Sequence, residues 1–402
     1  MQLNSDVFKK ATYLTGNSDI AAILTDIPSK EPFSEDAVEY LNAVSKLLMK
    51  DPRSRIYSDV ITFAFWIRKG STLKLKERFE TDENSYHLGK GVAFHIAPSN
   101  VPVNFAYSLA AGILTGNANI VRVPSKDFQQ VSIIVDALNK AFDEYESMRH
   151  YVLCVKYGRD KEINDVFSSI ADIRVIWGGD QTISELRKSP LPPRSGEITF
   201  ADRYSLAVID SNAYLEMENK DRIAEDFYND TFFSDQNACT SPRIVVWLGS
   251  KIEEAKALFW KEEHALAKRK YNYQSIQGIN KLTKAYMIAA SEADVSIEDH
   301  PDNLIFRISV SSINGDLMEY RDNSGYFYEY NCKNIMELMP LCNDKRCQTI
   351  GYIGTKDVFT PLISAGVKGV DRIVPIGRTM DFDLIWDGYD LPAMMTRTVV
   401  LI

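Results

Sequence analysis

Up to about residue 88 the apolar positions recur at helical spacing. Ala37-Val38, Leu41, Val44 and Leu47-Leu48 form one stripe; Val60-Ile61, Ala64-Phe65 and Ile67 form another, with Gly70 as its expected stop. A charged stretch poor in apolar residues, Lys74 to Gly91, then reads as a hairpin or linker. From Gly91 the period changes. GVAFHIAPSN is a short apolar run ending in turn residues, NFAYSLAAGILTG a buried helix closed by Gly116, and NIVRVPS a strand stopped by Pro124. A helix from Asp127 onward carries Phe128, Val131, Ile134-Val135, Leu138 and Phe142 on one face. YVLCVKYG, KEINDVFSSI and IRVIWGG continue as strand, helix and strand. Such alternation implies βαβ units and a parallel sheet, whose ligands bind in the crevice beyond the carboxyl ends of the strands. Three loops are expected there: Ala97, Pro98, Ser99 and Asn100; Pro124, Ser125 and Lys126; and Gly178, Gly179, Asp180 and Gln181.

After a turn-rich patch, SPLPPRSGE, the apolar run YSLAVID reads as the last strand of the first domain. The pattern then restarts with a helix in DRIAEDFYNDTFF, a loop in SDQNACTSPR and a strand in RIVVWLG. A further helix is expected to open at Ser250, with Glu253 completing a capping box, and to run through Trp260. The chain closes on an alternating strand, TRTVVLI, and carries no internal repeat. The expected organisation is an α/β protein of two doubly wound, Rossmann-like domains. The first spans residues 1–212, the second 213–372, and a segment from 373–402 returns to the first.

With 45% hydrophobic residues, 402 residues suffice for two cores, and the net charge of −9 provides no global basic field for nucleic acid or an anionic membrane. Any phosphate must be held by local groups. MQLNSDVFKK lacks a signal-peptide core and no apolar run reaches the length of a membrane span, so the cytoplasm is the expected compartment. Five cysteines, an odd number without a regular framework, are expected as reduced thiols. Cys154 reads as strand core, Cys332 follows the aromatic YFYEYN, and the pair Cys342 and Cys347 lacks a second pair or histidine cluster for zinc. Cys239 differs: it lies in a polar loop between a helix end and a strand. A lone loop cysteine is ordinarily a packed thiol, and Asn100 in P-S-N-V-P is ordinarily a turn residue. His95 reads as a packed side chain on its strand; no Ser-His-Asp or metal constellation emerges.

FHIAPSNVPVNFAYSLAAGILTGNANIVRVPSK, DQNACTSPR and GVDRIVPIGRTMDFDLIWDGYDL, in this order, resemble the aldehyde dehydrogenase superfamily. Within it they resemble the acyl-CoA reductase family of the bacterial bioluminescence fatty-acid reductase. The resemblance covers residues 88–402 and implies an aldehyde-dehydrogenase-like fold with a nucleotide-binding and a catalytic domain. It places Cys239 on the thiolate nucleophile and Asn100 on the amide that, with the Cys239 backbone N–H, holds the oxyanion. Gly178, Gly179 and Asp180 fall on the glycine turn that meets the pyrophosphate. Arg122 falls where a lysine usually approaches the adenosine ribose, and Ser125 replaces a glutamate that would repel a 2′-phosphate. With Lys126 beside them, NADPH is favoured over NADH. Oxidising relatives carry a glutamate base at the position aligned with Phe200; its absence favours reduction of the acyl-enzyme over hydrolysis, with Glu197 and Asp202, near in sequence, read as structural carboxylates or as a substitute base.

The expected activity is NADPH-dependent reduction of a fatty acyl thioester, acyl-CoA or acyl-protein, to the aldehyde. A CoA-acylating or oxidising aldehyde dehydrogenase is the alternative enzyme, and a non-catalytic acyl-accepting or scaffold subunit the alternative of another class. The resemblance also implies an acyl-transferring partner protein and a homodimer or homotetramer built partly on TRTVVLI.

Overall fold

The computed structural model describes residues 5–79, 85–292 and 294–401. The chain forms two compact units, Met1–Ala201 with Asp383–Ile402, and Asp202–Phe382.

In the first unit, β1 (Thr12–Tyr13), β3 (Val92–Ile96), β4 (Ala118–Arg122), β5 (Val152–Lys156), β6 (Ile173–Trp177) and β7 (Gly196–Phe200) form a sheet in the order β1-β5-β4-β3-β6-β7. All neighbours are parallel except β1 with β5. Helices Asn104–Leu114, Gln129–Ala141, Lys161–Ser169 and Asp180–Leu186 connect the parallel strands in turn, as short apolar runs alternating with amphipathic segments require. β3 and β6 are buried along their whole length, the signature of strands covered on both faces. The expected N-terminal helices appear as Glu35–Lys50 and Ser58–Trp66.

Gly70, expected as a helix stop, instead lies in the first turn of a further helix, Lys69–Glu77. The chain breaks at Ile67 and Arg68, where Arg68 takes an extended conformation. That helix also overturns the linker expectation for Lys74–Glu77; residues 80–84 of that stretch lie outside the described residues. Strand β2 (Ser85–Gly89) pairs antiparallel with the chain's last strand, Thr396–Val400, rather than forming a local hairpin. The C-terminal run is therefore a strand, as its alternation predicts.

The second unit holds β8 (Tyr204–Asp210), β9 (Pro242–Leu248), β10 (Val295–Ile297), β11 (Phe306–Val310), β12 (Tyr326–Asn331), β13 (Cys347–Ile353) and β14 (Arg372–Pro375), in the order β10-β11-β12-β9-β8-β13-β14. Only β10 is antiparallel to its neighbour. Leu206 and Val208 of β8 join the core on one face with Ile244 and Val246 of β9, while Ala207 and Ile209 join the other with Val245 and Trp247. β8 was expected to close the first domain; it lies inside the second sheet, hydrogen-bonded to β9 and β13. An apolar run reports burial on both faces but not which sheet provides it. β14, expected in the returning segment, also belongs here. The helix expected from Ser250 runs Ile252–Lys270 without the capping box, because the Ser250 hydroxyl donates to Asn212 Oδ1 instead.

Candidate active site

Within the first unit, the three predicted loops do gather at the carboxyl ends of adjacent strands. Ala97, Pro98, Ser99 and Asn100 follow β3, Pro124, Ser125 and Lys126 follow β4, and Gly178, Gly179 and Asp180 follow β6. The Ala97 N–H donates to the Arg122 carbonyl at 3.1 Å, which ties the first loop to the second. Ser99, Asn100, Ser125, Lys126, Gly179 and Asp180 are exposed. Arg122 is half-buried; its guanidinium lies 4.7 Å over the Tyr157 ring and donates to the Gly158 carbonyl. Asp127, the one carboxylate adjoining the Pro124–Lys126 turn, is ion-paired with Lys156.

A polar chain lies under these loops. Trp177 Nε1–H donates to Ser108 Oγ at 3.0 Å, and Ser108 lies 2.7 Å from His95 Nδ1. His95 Nε2 lies 3.1 Å from Asn119 Oδ1, while the Asn119 amide nitrogen donates to the Asn117 and Tyr151 carbonyls. These partners select the neutral tautomer protonated at Nε2. Gly112 permits the arrangement: a Cβ there would stand 1.8 Å from Asn119 Oδ1. Burial drives the His95 pKa down to about 4, and with both ring nitrogens engaged it is no base for a thiol. Because the unfolded histidine takes a proton below about pH 6.5 and the folded one resists until about 4, His95 is expected to withdraw stability as pH falls through that window, totalling roughly 3 kcal/mol. Urea unfolding of the wild type and His95→Gln at pH 7 and pH 4.5 checks this; an identical pH slope in both proteins would refute it.

Trp177, held by Ser108, carries Phe200 stacked on it, with ring centroids 3.6 Å apart and planes at 19°. Phe200 ends β7 and also meets Tyr389 edge-on. Glu197, on the same strand, is bound to Arg174 at 2.5 Å and Arg187 at 2.7 Å, and Asp202, in the second unit, to Arg321 at 2.5 Å.

In the second unit, Cys239 lies half-buried in the loop between the helix Lys220–Asp230 and β9. The four other cysteines are buried. The loop turns through two consecutive left-handed non-glycine residues, Asp235 at φ 53° and Gln236 at φ 54°, a conformation that costs about 1 kcal/mol or more per residue. The Gln236 side chain offsets that cost. Fully buried, its Oε1 accepts from the Gly325 and Tyr326 N–H groups and its Nε2 donates to the Pro242 and Tyr326 carbonyls. Asn323 donates to Asn237 Oδ1, and the Ser205 hydroxyl donates to the Cys239 carbonyl at 2.7 Å. Buried Arg243, bonded to the Asp322 and Gln236 carbonyls, interacts electrostatically with Cys239; burial pushes its own pKa down to about 10. Nothing in the sequence pattern alone marks Gln236 or Arg243, although both flank Cys239 in QNACTSPR.

The acyl-CoA reductase (LuxC) family model matches residues 15–397. The chain is 25% identical over 300 residues to a long-chain acyl-protein thioester reductase of Aliivibrio fischeri, covering 73% of this chain and 60% of that protein. It thus spans well under two thirds of that relative's length. Among solved structures, it is similar to lactaldehyde dehydrogenase (TM-score 0.67, 13% identity, 95% of this chain and 89% of that one). It is likewise similar to the glyceraldehyde-3-phosphate dehydrogenase GapN of Methanocaldococcus jannaschii complexed with NADP (TM-score 0.66, 12% identity, 95% and 92%). The fold is that of the aldehyde dehydrogenases.

Proposed function

This chain belongs to the acyl-CoA reductase (LuxC) family, and on that footing we propose that it reduces a long-chain fatty acyl thioester to the aldehyde through an acyl-Cys239 intermediate. In this reading the Cys239 thiolate attacks the thioester carbonyl, the Asn100 amide and the Cys239 N–H stabilise the oxyanion, and the donor's thiolate leaves. A nicotinamide cofactor, when bound, would supply one hydride to the acyl carbon. Collapse of the resulting tetrahedral alkoxide releases the aldehyde and returns the thiolate to Cys239.

The observation that carries the reductive direction is the Phe200–Trp177 stack. A water attacking the acyl-enzyme needs a base; the resemblance to oxidising relatives aligns Phe200 with that base, its ring is stacked on Trp177, and Glu197 and Asp202 are committed to arginines. The acyl-cysteine therefore persists until it is reduced. For the cofactor, the donor set beyond β4 suits NADPH: Ser125 and Lys126 are exposed, Arg122 is half-buried beside them, and the neighbouring Asp127 is neutralised by Lys156. Ala97 to Ser99, Pro124 and the Gly178–Asp180 turn complete the proposed cofactor contacts. The acyl donor is an acyl-protein or acyl-CoA, an acyl-transferring protein being the source in the first case. The edge of the two-stranded pair formed by β2 and the last strand, with exposed Val400 and Leu401, is the proposed seam of a homodimer or homotetramer. No described helix is long and apolar enough to cross a membrane.

The test incubates the full chain with palmitoyl-CoA, or a palmitoylated acyl-carrier protein, and NADPH. Stoichiometric loss of NADPH and gain of hexadecanal are expected; fatty acid in place of aldehyde would overturn the reading. Arg122→Ala is expected to raise KM for NADPH about tenfold while leaving that for NADH within about twofold. Equal effects on both cofactors would reject the 2′-phosphate role.

A further inference from the structure

The proposed mechanism leaves several buried carboxylates of the second unit unused, Asp230, Glu263 and Glu329 among them. Asp230, the last residue of the helix Lys220–Asp230, is wholly inaccessible. Its two oxygens accept from two backbone amides of one turn: Oδ2 from the Gly377 N–H at 2.6 Å and Oδ1 from the Thr379 N–H at 3.1 Å. Gly377 has φ +90°, and a Cβ there would stand 2.6 Å from the Asp226 Cβ, so the turn lies directly against the helix. From its other side the Arg372 guanidinium donates to the carbonyls of Thr379 and Asp381. One turn thus has its amides held by an anion and its carbonyls by a cation.

What this turn carries is Met380. The Met380 sulfur accepts from the Thr240 hydroxyl at 3.2 Å, with the Ser241 hydroxyl 4.0 Å away. Thr240 follows Cys239 directly, and Ser205 holds the Cys239 carbonyl. The backbone at the thiol is therefore fixed on both sides, by Ser205 at its own carbonyl and by the Met380 turn at the next side chain. We propose that Asp230 is a positioning residue for acyl transfer to Cys239, acting through the Gly377–Met380 turn and the Thr240 hydroxyl. This inference rests on the acyl-Cys239 reading and assigns it a regulator.

The clamp needs two acceptor oxygens. A protonated carboxyl would turn one of them into a donor facing an N–H. Burial pushes Asp230 up to about 7, with Asp381 adding to the rise and the Gly377 amide, the Thr379 hydroxyl and the Thr379 amide opposing it. The charged groups around it are Asp226 on its own helix, ion-paired with Arg222, Arg372 on β14, and Arg378 and Asp381 from the turn, these last two paired with each other. The clamp is closed above about pH 7 and loosens as pH falls through it.

Asp230→Asn presents an amide NH2 where one acceptor was, and so resembles the protonated form at every pH. The experiment follows single-turnover acylation by palmitoyl-CoA and alkylation of Cys239 by iodoacetamide from pH 5.5 to pH 9, each read by mass spectrometry. At pH 8.5 the variant is expected to acylate about tenfold more slowly than the wild type. The two should converge below pH 6, because only the wild type has a limb near pH 7 to lose. Alkylation should show the same convergence, so failure of palmitoyl-CoA to acylate either protein would reject the enzymatic reading while leaving the clamp to be judged on alkylation. A ratio near one, or one constant across pH, overturns the proposal. Met380→Leu keeps volume and Asp230 but removes the sulfur acceptor, and decides the matter should Asp230→Asn not fold. It is expected to lower acylation and flatten the pH 7 limb; an unchanged rate and limb would overturn the proposal equally.

Discussion

Cys239→Ala is expected to abolish aldehyde formation and covalent acyl labelling together, lowering turnover by roughly four orders of magnitude or more. Both follow from one bond, since without the sulfur there is no acyl-enzyme to accept the hydride. The loop's geometry makes the result interpretable. Its strained turn is held by Gln236 and the Cys239 backbone by Ser205, none of which involves the Cys239 side chain. The variant should therefore unfold within about 1 kcal/mol of the wild type, as substitutions away from a packed core usually do. The four remaining thiols are buried, so labelling by a palmitoyl thioester should vanish rather than move to another cysteine. The measurement is mass spectrometry of the intact protein after incubation with palmitoyl-CoA, beside NADPH consumption. An acyl adduct surviving in Cys239→Ala, or unimpaired turnover, would remove Cys239 from the chemistry.

Much of the first unit could be read from the chain because its parallel strands are covered on both faces, so each appears as an uninterrupted apolar run between amphipathic helices. β7 escaped notice for the opposite reason. It lies at the sheet edge, is half polar in GEITF, and follows a proline-rich turn. The missed strand matters, because Phe200 at its end is the residue on which the reductive direction rests. β8 shows a different limit: its apolar run was recognised, its sheet was not, since strand order depends on partners distant in sequence.

The site divides in the same way. The proposed cofactor loops lie where the carboxyl-end rule looks for them, beyond β3, β4 and β6. Cys239 lies at the amino end of β9, where that rule does not look, and only its loop composition and the family motif singled it out. The residues that shape its surroundings were silent because each acts over a long separation in sequence. Gln236 is bonded to residues 325 and 326, Arg243 to residue 322, and Asp230 to residues 377 and 379. A buried glutamine or aspartate is a signal only once its partners are known.

Asn100→Ala is expected to slow acylation of Cys239 by about two to three orders of magnitude, the usual cost of one oxyanion donor. The proposed oxyanion forms only as the thioester carbonyl becomes tetrahedral, so the loss should fall on the acylation rate constant and leave binding of acyl-CoA within about threefold. Folding should be indifferent: Asn100 is exposed, and the loop is tied down by the Ala97 N–H and by the helix Asn104–Leu114 that follows. Asn100→Asp separates this role from a merely spatial one. The aspartate matches the asparagine in size but offers a carboxylate where an N–H donor is needed, so it should be at least as slow as alanine, and slower as pH rises above its titration. An aspartate variant close to the wild type would show that the side chain's bulk, not its donor, is what the reaction uses. The alanine variant acylating at the wild-type rate would take Asn100 out of the mechanism and leave the Cys239 N–H as the proposed donor.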